Sequence, residues 1–389
     1  MLINSYIGGD KWKFSDKIYA KLTNKKVNSN YNPIISVFIK KLPGILPNKE
    51  LFGFFWSTPT FKDTDSNYLL HTIDNEKIDY IVSTSSGNTV EGMARTIKNY
   101  NQEFNKNIIA ILLVPELSAH KVSKSVIEDN PYVKYIVLKN STLDSTRDLA
   151  KKLIKRLSNK YKVICAKADL KTAAYSQIGL VLNDNNLLNE DTCFVQTVSG
   201  GVGPAGLIES AYQLKTNHEI LVIQPFNGKS APIVDALNIH SKGGDPLSIF
   251  DDTDYVTSQI EPTLGSTKPY YAINKFTQWR ENGGRIFPSV VSRDELARYK
   301  DKILNTLVEA GVYPTKKCGL KLFELEKSGF MAFTGAITSA NRIESKNIVV
   351  NFTGRYPDHL STVPIQASPH ILFDPSEELK RLLSLLDLK

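Results

Sequence analysis

Cysteine is scarce in this chain. Its three cysteines, Cys165, Cys193 and Cys318, are too few and too scattered for a disulfide framework. Cys165 and Cys193 lie in or beside apolar runs, where free thiols behave as small buried hydrophobes. A reducing, cytoplasmic setting is therefore the default expectation. Long apolar stretches are also missing: nothing approaches the roughly 18 residues a membrane span needs. The start, MLINSYIGGDKWKF, lacks the apolar core of a signal peptide, so no membrane partner is expected. There is no concentrated basic tract either. The net charge is +8, but the lysines come in dispersed pairs such as Lys25–Lys26, Lys40–Lys41 and Lys151–Lys152, without interleaved aromatics. That pattern reads as solvated surface rather than a nucleic-acid face, although a small anionic substrate would gain from the field. The six histidines show no ligand spacing with cysteine or carboxylate, so no metal is expected.

What is present is a globular composition over 389 residues, enough for two domains with a sizeable core. Short β-branched runs alternate with amphipathic stretches. Strands are expected at 79–83, 107–114, 134–139, 161–166, 193–198, 220–224, 285–291 and 347–352. Helices are expected at 90–100, where Val90, Met93, Ala94 and Ile97 share a face, and at 145–157 and 296–307. Ser292 and Glu295 have the spacing of a capping box before the last of these. Repeated strand–helix units imply an α/β fold with a mostly parallel sheet covered by helices.

In such folds ligands sit where strand ends meet helix beginnings, because free N–H groups and the helix dipole favour anions there. Two junctions stand out. The first is Ser199-Gly200-Gly201-Val202-Gly203, with Pro204 in the first turn of an apolar helix. Three glycines in five residues let backbone N–H groups close on a single phosphate. The segment Gly201–Gly206 also fits G-x-G-x-x-G, the basis of an alternative reading as a nucleotide- or NAD-binding oxidoreductase. That reading needs a carboxylate at the end of the next strand, which instead runs Val222-Ile-Gln-Pro-Phe226. The second junction, Ser85-Ser86-Gly87-Asn88-Thr89, offers more small polar groups than one helix cap requires, and suits a carboxylate plus a polar ring.

Taken in order, these loops resemble pyridoxal-phosphate enzymes of fold type II, the group containing threonine synthase, cysteate synthase, serine/threonine dehydratases and cysteine synthase. The resemblance runs from about Glu50 to Gly354. It implies a tryptophan synthase β-subunit-like fold, with two parallel-type α/β domains and the cofactor between them. The small domain would span 65–166, and the large one 1–64 with 167–389. The segment Glu50–Asp63 is similar to the family's stretch ending Phe-Lys-Asp, which makes Lys62 the lysine that forms the Schiff base with pyridoxal 5'-phosphate. Its flanks Phe54-Phe-Trp56 and Phe61 make an apolar setting, where an amine loses charge more readily. By the same resemblance Asn88 faces the cofactor's 3-hydroxyl, and Ser85, Ser86 and Thr89 take the substrate carboxylate. Ser199, Gly200, Gly201, Val202 and Gly203 cradle the phosphate. Val349-Val-Asn-Phe-Thr-Gly354 is similar to the strand-ending Thr-Gly of threonine synthases, giving Thr353 the pyridine nitrogen.

The implied activity is that of a lyase or transferase: elimination or replacement at the β or γ carbon of an amino acid, threonine synthase-like, with an O-phosphorylated substrate. A homodimer is also implied. Two departures touch the substrate side. Threonine synthases continue Thr-Gly-His-Gly where this chain reads Thr353-Gly-Arg355-Tyr-Pro357, and the residues before Phe-Lys-Asp are shortened to Pro59-Thr60. Arg355 is a candidate for an anionic substrate group or a surface arginine. A lyase or replacement enzyme of specialised metabolism, and a non-catalytic relative that keeps only the fold, stand as alternatives.

Overall fold

In chain order the strands are β1 (Leu2–Gly8), β2 (Ile34–Leu42), β3 (Glu50–Trp56), β4 (Tyr80–Thr84), β5 (Ile109–Pro115), β6 (Val133–Leu138), β7 (Val163–Ile164), β8 (Thr192–Thr197), β9 (Glu219–Gln224), β10 (Arg285–Val290), β11 (Asn347–Phe352) and β12 (Ile371–Phe373). This computed structural model describes all residues except 85, 86, 227–230, 253, 254, 256–259, 262, 263, 265, 326, 355–364, 388 and 389. The chain divides into two compact units. The larger comprises Met1–Lys26, Pro33–Phe61 and Ala168–Ser361; the smaller comprises Val27–Asn32, Lys62–Lys167 and Thr362–Lys389.

The larger unit holds one sheet in the order β1-β2-β3-β11-β8-β9-β10. From β3 to β10 all neighbours are parallel, while β1 and β2 join antiparallel. Strands β8 and β9 are buried along their whole length, which is why their sequences read as continuous apolar runs. Strand β2 alternates instead, burying Ile35, Val37 and Ile39 and exposing Ile34 and Ser36, as expected of a strand with one covered face. Val195, Leu221, Ile223, Ile348 and Val350 form one core with Ile303, Leu304 and Leu307 of the helix Arg293–Glu309 and with Phe330 and Phe333 of the helix Ser328–Thr338. The capping box is there: the Ser292 hydroxyl accepts from the Glu295 N–H, and the Glu295 carboxylate accepts from the Ser292 N–H at 2.8 Å.

A Cβ on Gly206 would come within 2.8 Å of backbone atoms of Thr172, Tyr175 and Ser176. The helix Val202–Leu214 therefore meets the helix Ala168–Asp184 at backbone distance. The last glycine of the G-x-G-x-x-G pattern serves that packing.

His218, just before β9, is buried with its ring tilted against Trp279 at 5.6 Å. Neither ring nitrogen has a hydrogen-bond partner among the described residues. Burial pulls its pKa down to about 3. An unfolded histidine titrates near 6.5, so between these values the unfolded chain binds more protons and stability falls with falling pH. Between pH 7 and pH 5 the expected loss from this residue is about 2 kcal/mol. Urea unfolding at the two pH values should show the loss reduced in His218→Phe; an unaltered pH dependence in the variant would exclude His218 as its source.

The smaller unit holds the all-parallel sheet β12-β6-β5-β4-β7. The helix Leu143–Leu157 packs Leu149, Leu153 and Leu157 with Ile111, Leu113, Ile136 and Leu138. On the helix Asn88–Phe104, Val90, Met93, Ala94 and Ile97 are all buried, so the face read from the sequence is the packed one. Two expectations need correction. The strand expected at 161–166 shortens to Val163–Ile164. The division that kept 167–389 together also fails at its end: Ile371 and Phe373 pair with Ile136 and Leu138 and join their apolar cluster, so β12 belongs to the smaller sheet. The α/β class itself stands. Among the described residues no helix is long and apolar enough to cross a membrane.

Candidate active site

In the larger unit the strand order reverses between β8 and β11. The chain moves outward from β8 through β9 and β10, then returns to β11 on the other side. Neighbouring connections that leave in opposite directions open a crevice at the carboxyl ends of the strands. A buried polar chain ties the strands just short of that edge. Trp56 Nε1 donates to Asn351 Oδ1 at 2.9 Å, and Asn351 Nδ2 donates to Gln196 Oε1 at 3.0 Å. It links β3, β11 and β8 through groups that would be costly to leave unpaired.

The glycine loop leaves β8 at this edge. Gly201 adopts a left-handed conformation at φ 71° and precedes the first residue of the helix, Val202. A Cβ there would lie 2.4 Å from Ala272 Cβ, and one on Gly203 would lie 2.5 Å from Gln196 Nε2. Gly200 differs: a Cβ on it would meet nothing within 4 Å. The loop is thus closed on its inner side and open at Gly200, with the free N–H groups of a 13-residue helix beginning beside it. The Ser199 hydroxyl accepts from the Ser266 N–H at 3.1 Å, which orients it and leaves its own proton to donate.

Thr353 follows β11 and is buried. Its hydroxyl lies 2.7 Å from the Ser328 hydroxyl, and its carbonyl accepts from the Phe61 N–H at 3.4 Å. The Phe61 ring packs against Trp56 and Tyr175, with centroids at 5.8 and 5.1 Å. Lys62 comes next in the chain.

In the smaller unit Lys62 is half-buried at the N-cap of the helix Asp63–Ile73. The neighbouring helix, which carries Asn88 and Thr89 in its first turn, presses on that point through Gly92. A Cβ on Gly92 would lie 2.7 Å from Asp63 Oδ1 and 3.2 Å from the Lys62 carbonyl carbon. The same helix supplies Arg95, whose guanidinium holds both oxygens of buried Asp63 at 2.8 and 2.6 Å and Glu91 at 3.0 Å. Burial pushes the Asp63 carboxyl up to about 6, Arg95 working against the rise and Glu91 with it. Asn88 begins the helix, half-buried, after Gly87 in a positive-φ turn; Thr89 is buried. Ser85, Ser86 and Arg355 lie outside the described residues.

No family model matches the chain, and no curated protein matches it in sequence. Solved structures do. Threonine synthase from Escherichia coli aligns over 96% of this chain and 87% of its own, with a TM-score of 0.65 at 10% identity. The processed form of threonine deaminase isoform 2 from Solanum lycopersicum covers 100% of this chain and 97% of its own, with a TM-score of 0.58 at 16% identity. A pyridoxal 5'-phosphate-dependent aspartate racemase covers 88% and 94%, at 0.57 and 16%. The chain has the type II fold of pyridoxal-phosphate enzymes.

Within that fold the structure adds residues the sequence reading left without a role. Asp63 stood beside Lys62 in the quoted motif, and Glu91 and Arg95 carry an i,i+4 spacing that could have marked an ion pair on the helix. Ser328 had no comparable signal: it is a small residue before an apolar helix, and its partner is 25 residues away.

Proposed function

We propose that this chain is a pyridoxal-phosphate-dependent enzyme, threonine synthase-like, that eliminates or replaces a group at the β or γ carbon of an amino acid, with an O-phosphorylated substrate. The observation that carries the reading is the crevice edge at β8 and β11, where a helix-capping glycine loop and a strand-ending threonine hydroxyl stand side by side in the strand order. The residues present fit the cofactor. A loop closed by Ala272 and Gln196 but open at Gly200 suits a phosphate, and a neutral hydroxyl at Thr353 suits an unprotonated ring nitrogen.

When bound, pyridoxal phosphate supplies a sink for the electron pair released at the substrate Cα. The Lys62 amine would hold the cofactor and would serve as the base that takes the Cα proton and holds it for return. Asn88 would donate its amide to the ring oxygen. Ser85, Ser86 and Thr89 would hold the substrate carboxylate, near the positive end of the dipole of the helix Asn88–Phe104. Thr353 would hold the cofactor's ring nitrogen through a hydroxyl, which would keep less charge there than a carboxylate. That favours prompt loss of a leaving group. Arg355 would pair with the leaving phosphate.

The dinucleotide reading finds no support at the end of β9. Gln224 stands there, and its side-chain oxygen accepts from the Ile233 and Val234 N–H groups at 2.8 and 3.3 Å, capping the next helix. The deciding experiment adds pyridoxal phosphate to the purified protein, records the visible and near-ultraviolet spectrum, and then reduces with borohydride. A new absorption band and a cofactor-modified peptide containing Lys62 are expected. No band, or modification at another lysine, would overturn the reading. A panel of O-phosphohomoserine, O-phosphoserine, serine and threonine then reports the substrate class, and a spectrum unmoved by all four would favour the non-catalytic relative.

A further inference from the structure

The Thr353 hydroxyl does not stand alone. Its oxygen lies 2.7 Å from the Ser328 Oγ, and both residues are buried. Ser328 opens the 11-residue helix Ser328–Thr338, so its hydroxyl sits at the positive end of a helix dipole, which makes it a better donor. Its backbone is fixed from two sides. The Thr197 hydroxyl at the end of β8 donates to the Ser328 carbonyl at 2.8 Å. Next to it, a Cβ on Gly329 would lie 2.5 Å from the Phe352 ring and 3.3 Å from Phe352 Cα, so the helix start is pressed against the end of β11. The helix therefore cannot draw Ser328 back from Thr353 without disturbing two strand ends.

A hydroxyl has one proton. If Thr353 gave its proton to Ser328, it could only accept elsewhere; if Ser328 donates to Thr353, the Thr353 proton is left for a further acceptor. The geometry points to the second arrangement: Ser328 is a positioning residue that donates to Thr353 and turns the Thr353 proton toward the ring nitrogen of the cofactor, a two-hydroxyl relay that holds this nitrogen neutral. Donation into the Thr353 oxygen also polarises its O–H bond and strengthens the outgoing hydrogen bond. The inference rests on the proposed binding of pyridoxal phosphate and goes beyond it by naming what orients the ring contact.

The test compares two ligands, pyridoxal phosphate and 1-deazapyridoxal phosphate, whose ring carries C–H in place of the nitrogen. Affinities are measured by fluorescence titration for the wild type, Ser328→Ala, Thr353→Ala and the double variant. Ser328→Ala is expected to weaken pyridoxal phosphate about fivefold to tenfold, a loss of the size of one neutral hydrogen bond. The same variant should leave the deaza analogue unchanged, and should add nothing once Thr353 is already alanine. Ser328→Thr, which keeps a hydroxyl, should recover most of the loss. Equal weakening of both ligands would mean Ser328 only supports the fold and would overturn the relay, as would no weakening of either. A wild type that binds neither ligand removes the proposed function and the relay with it, and that outcome is visible before any variant is made.

Discussion

Lys62→Ala is expected to lower turnover by about 10³-fold or more, because one change removes both the covalent link to the cofactor and the base at Cα. The fold should not suffer. Lys62 sits at the N-cap of the helix Asp63–Ile73, where a positive charge opposes the helix dipole, and the acidic residues of the first turn, Asp63 and Asp65, remain. The variant should therefore melt within a few degrees of the wild type while losing the cofactor absorption band. Pyridoxal phosphate can still associate through the glycine loop and Thr353, so equilibrium dialysis should detect weakened, non-covalent binding. Steady-state rates on the responsive substrate, the spectrum and the melting curve together decide the matter. A variant that keeps the band and the rate would transfer the role to another lysine; one that fails to fold would be answered by Lys62→Arg, which keeps length and charge but cannot form the link.

Strands β4, β5, β6, β8, β9, β10 and β11 were legible because each is a short apolar run bounded by turn residues, with β11 placed to the residue, whereas β3, which pairs parallel with β11, was not expected as a strand. The N-terminal strands were not read. β1 has Asn4, Ser5 and Tyr6 in its middle and lies at a sheet edge, where little selects for an apolar run. β2 was the avoidable miss, since Ile35, Val37 and Ile39 alternate plainly. β7 and β12 have two and three residues and owe their existence to their neighbours: the run expected at 161–166 keeps only Val163 and Ile164 in the sheet, and no local pattern announces β12. The loops at 85–89 and 199–203 were found by a general rule, that ligands gather where strands feed helices, and the helices do begin there, at Asn88 and Val202. What could not be read is what surrounds them. Ser328 with Thr353, and Arg95 with Asp63, are partners 25 and 32 residues apart, and their meeting is decided by the packing of glycines, Gly329 on Phe352 and Gly92 on Asp63. A glycine in a helix looks like a weak spot in sequence; here two of them are contact points.

The second large effect is expected from Arg95→Met. The Arg95 guanidinium is the shared partner of two buried carboxylates, Asp63 and Glu91, with side chains only 3% exposed. Removing it leaves both in a poorly solvated site beside each other, and breaking a buried pair in this way costs about 3–5 kcal/mol. The penalty should depend on pH, with a sign that can be worked out. Burial already pushes the Asp63 carboxyl up to about 6, above the unfolded value near 3.9, so the folded state binds more protons in that interval and stability declines as pH rises through it. Without Arg95 the attraction that restrains this rise is gone, the folded pKa climbs further, and the decline extends to higher pH. The gap between variant and wild type should therefore be small at pH 5 and close to its full size at pH 8, read by urea unfolding at each. Arg95→Lys should recover part of it, since the charge returns without the two-pronged fork. A gap of equal size at both pH values would mean that lost packing, and not the stranded carboxylates, is responsible. Because Asp63 and Gly92 together fix the helix start that carries Lys62, the variant's cofactor link should fail in the same pH order: retained at pH 5 and lost at pH 8, while Lys62→Ala lacks it at both.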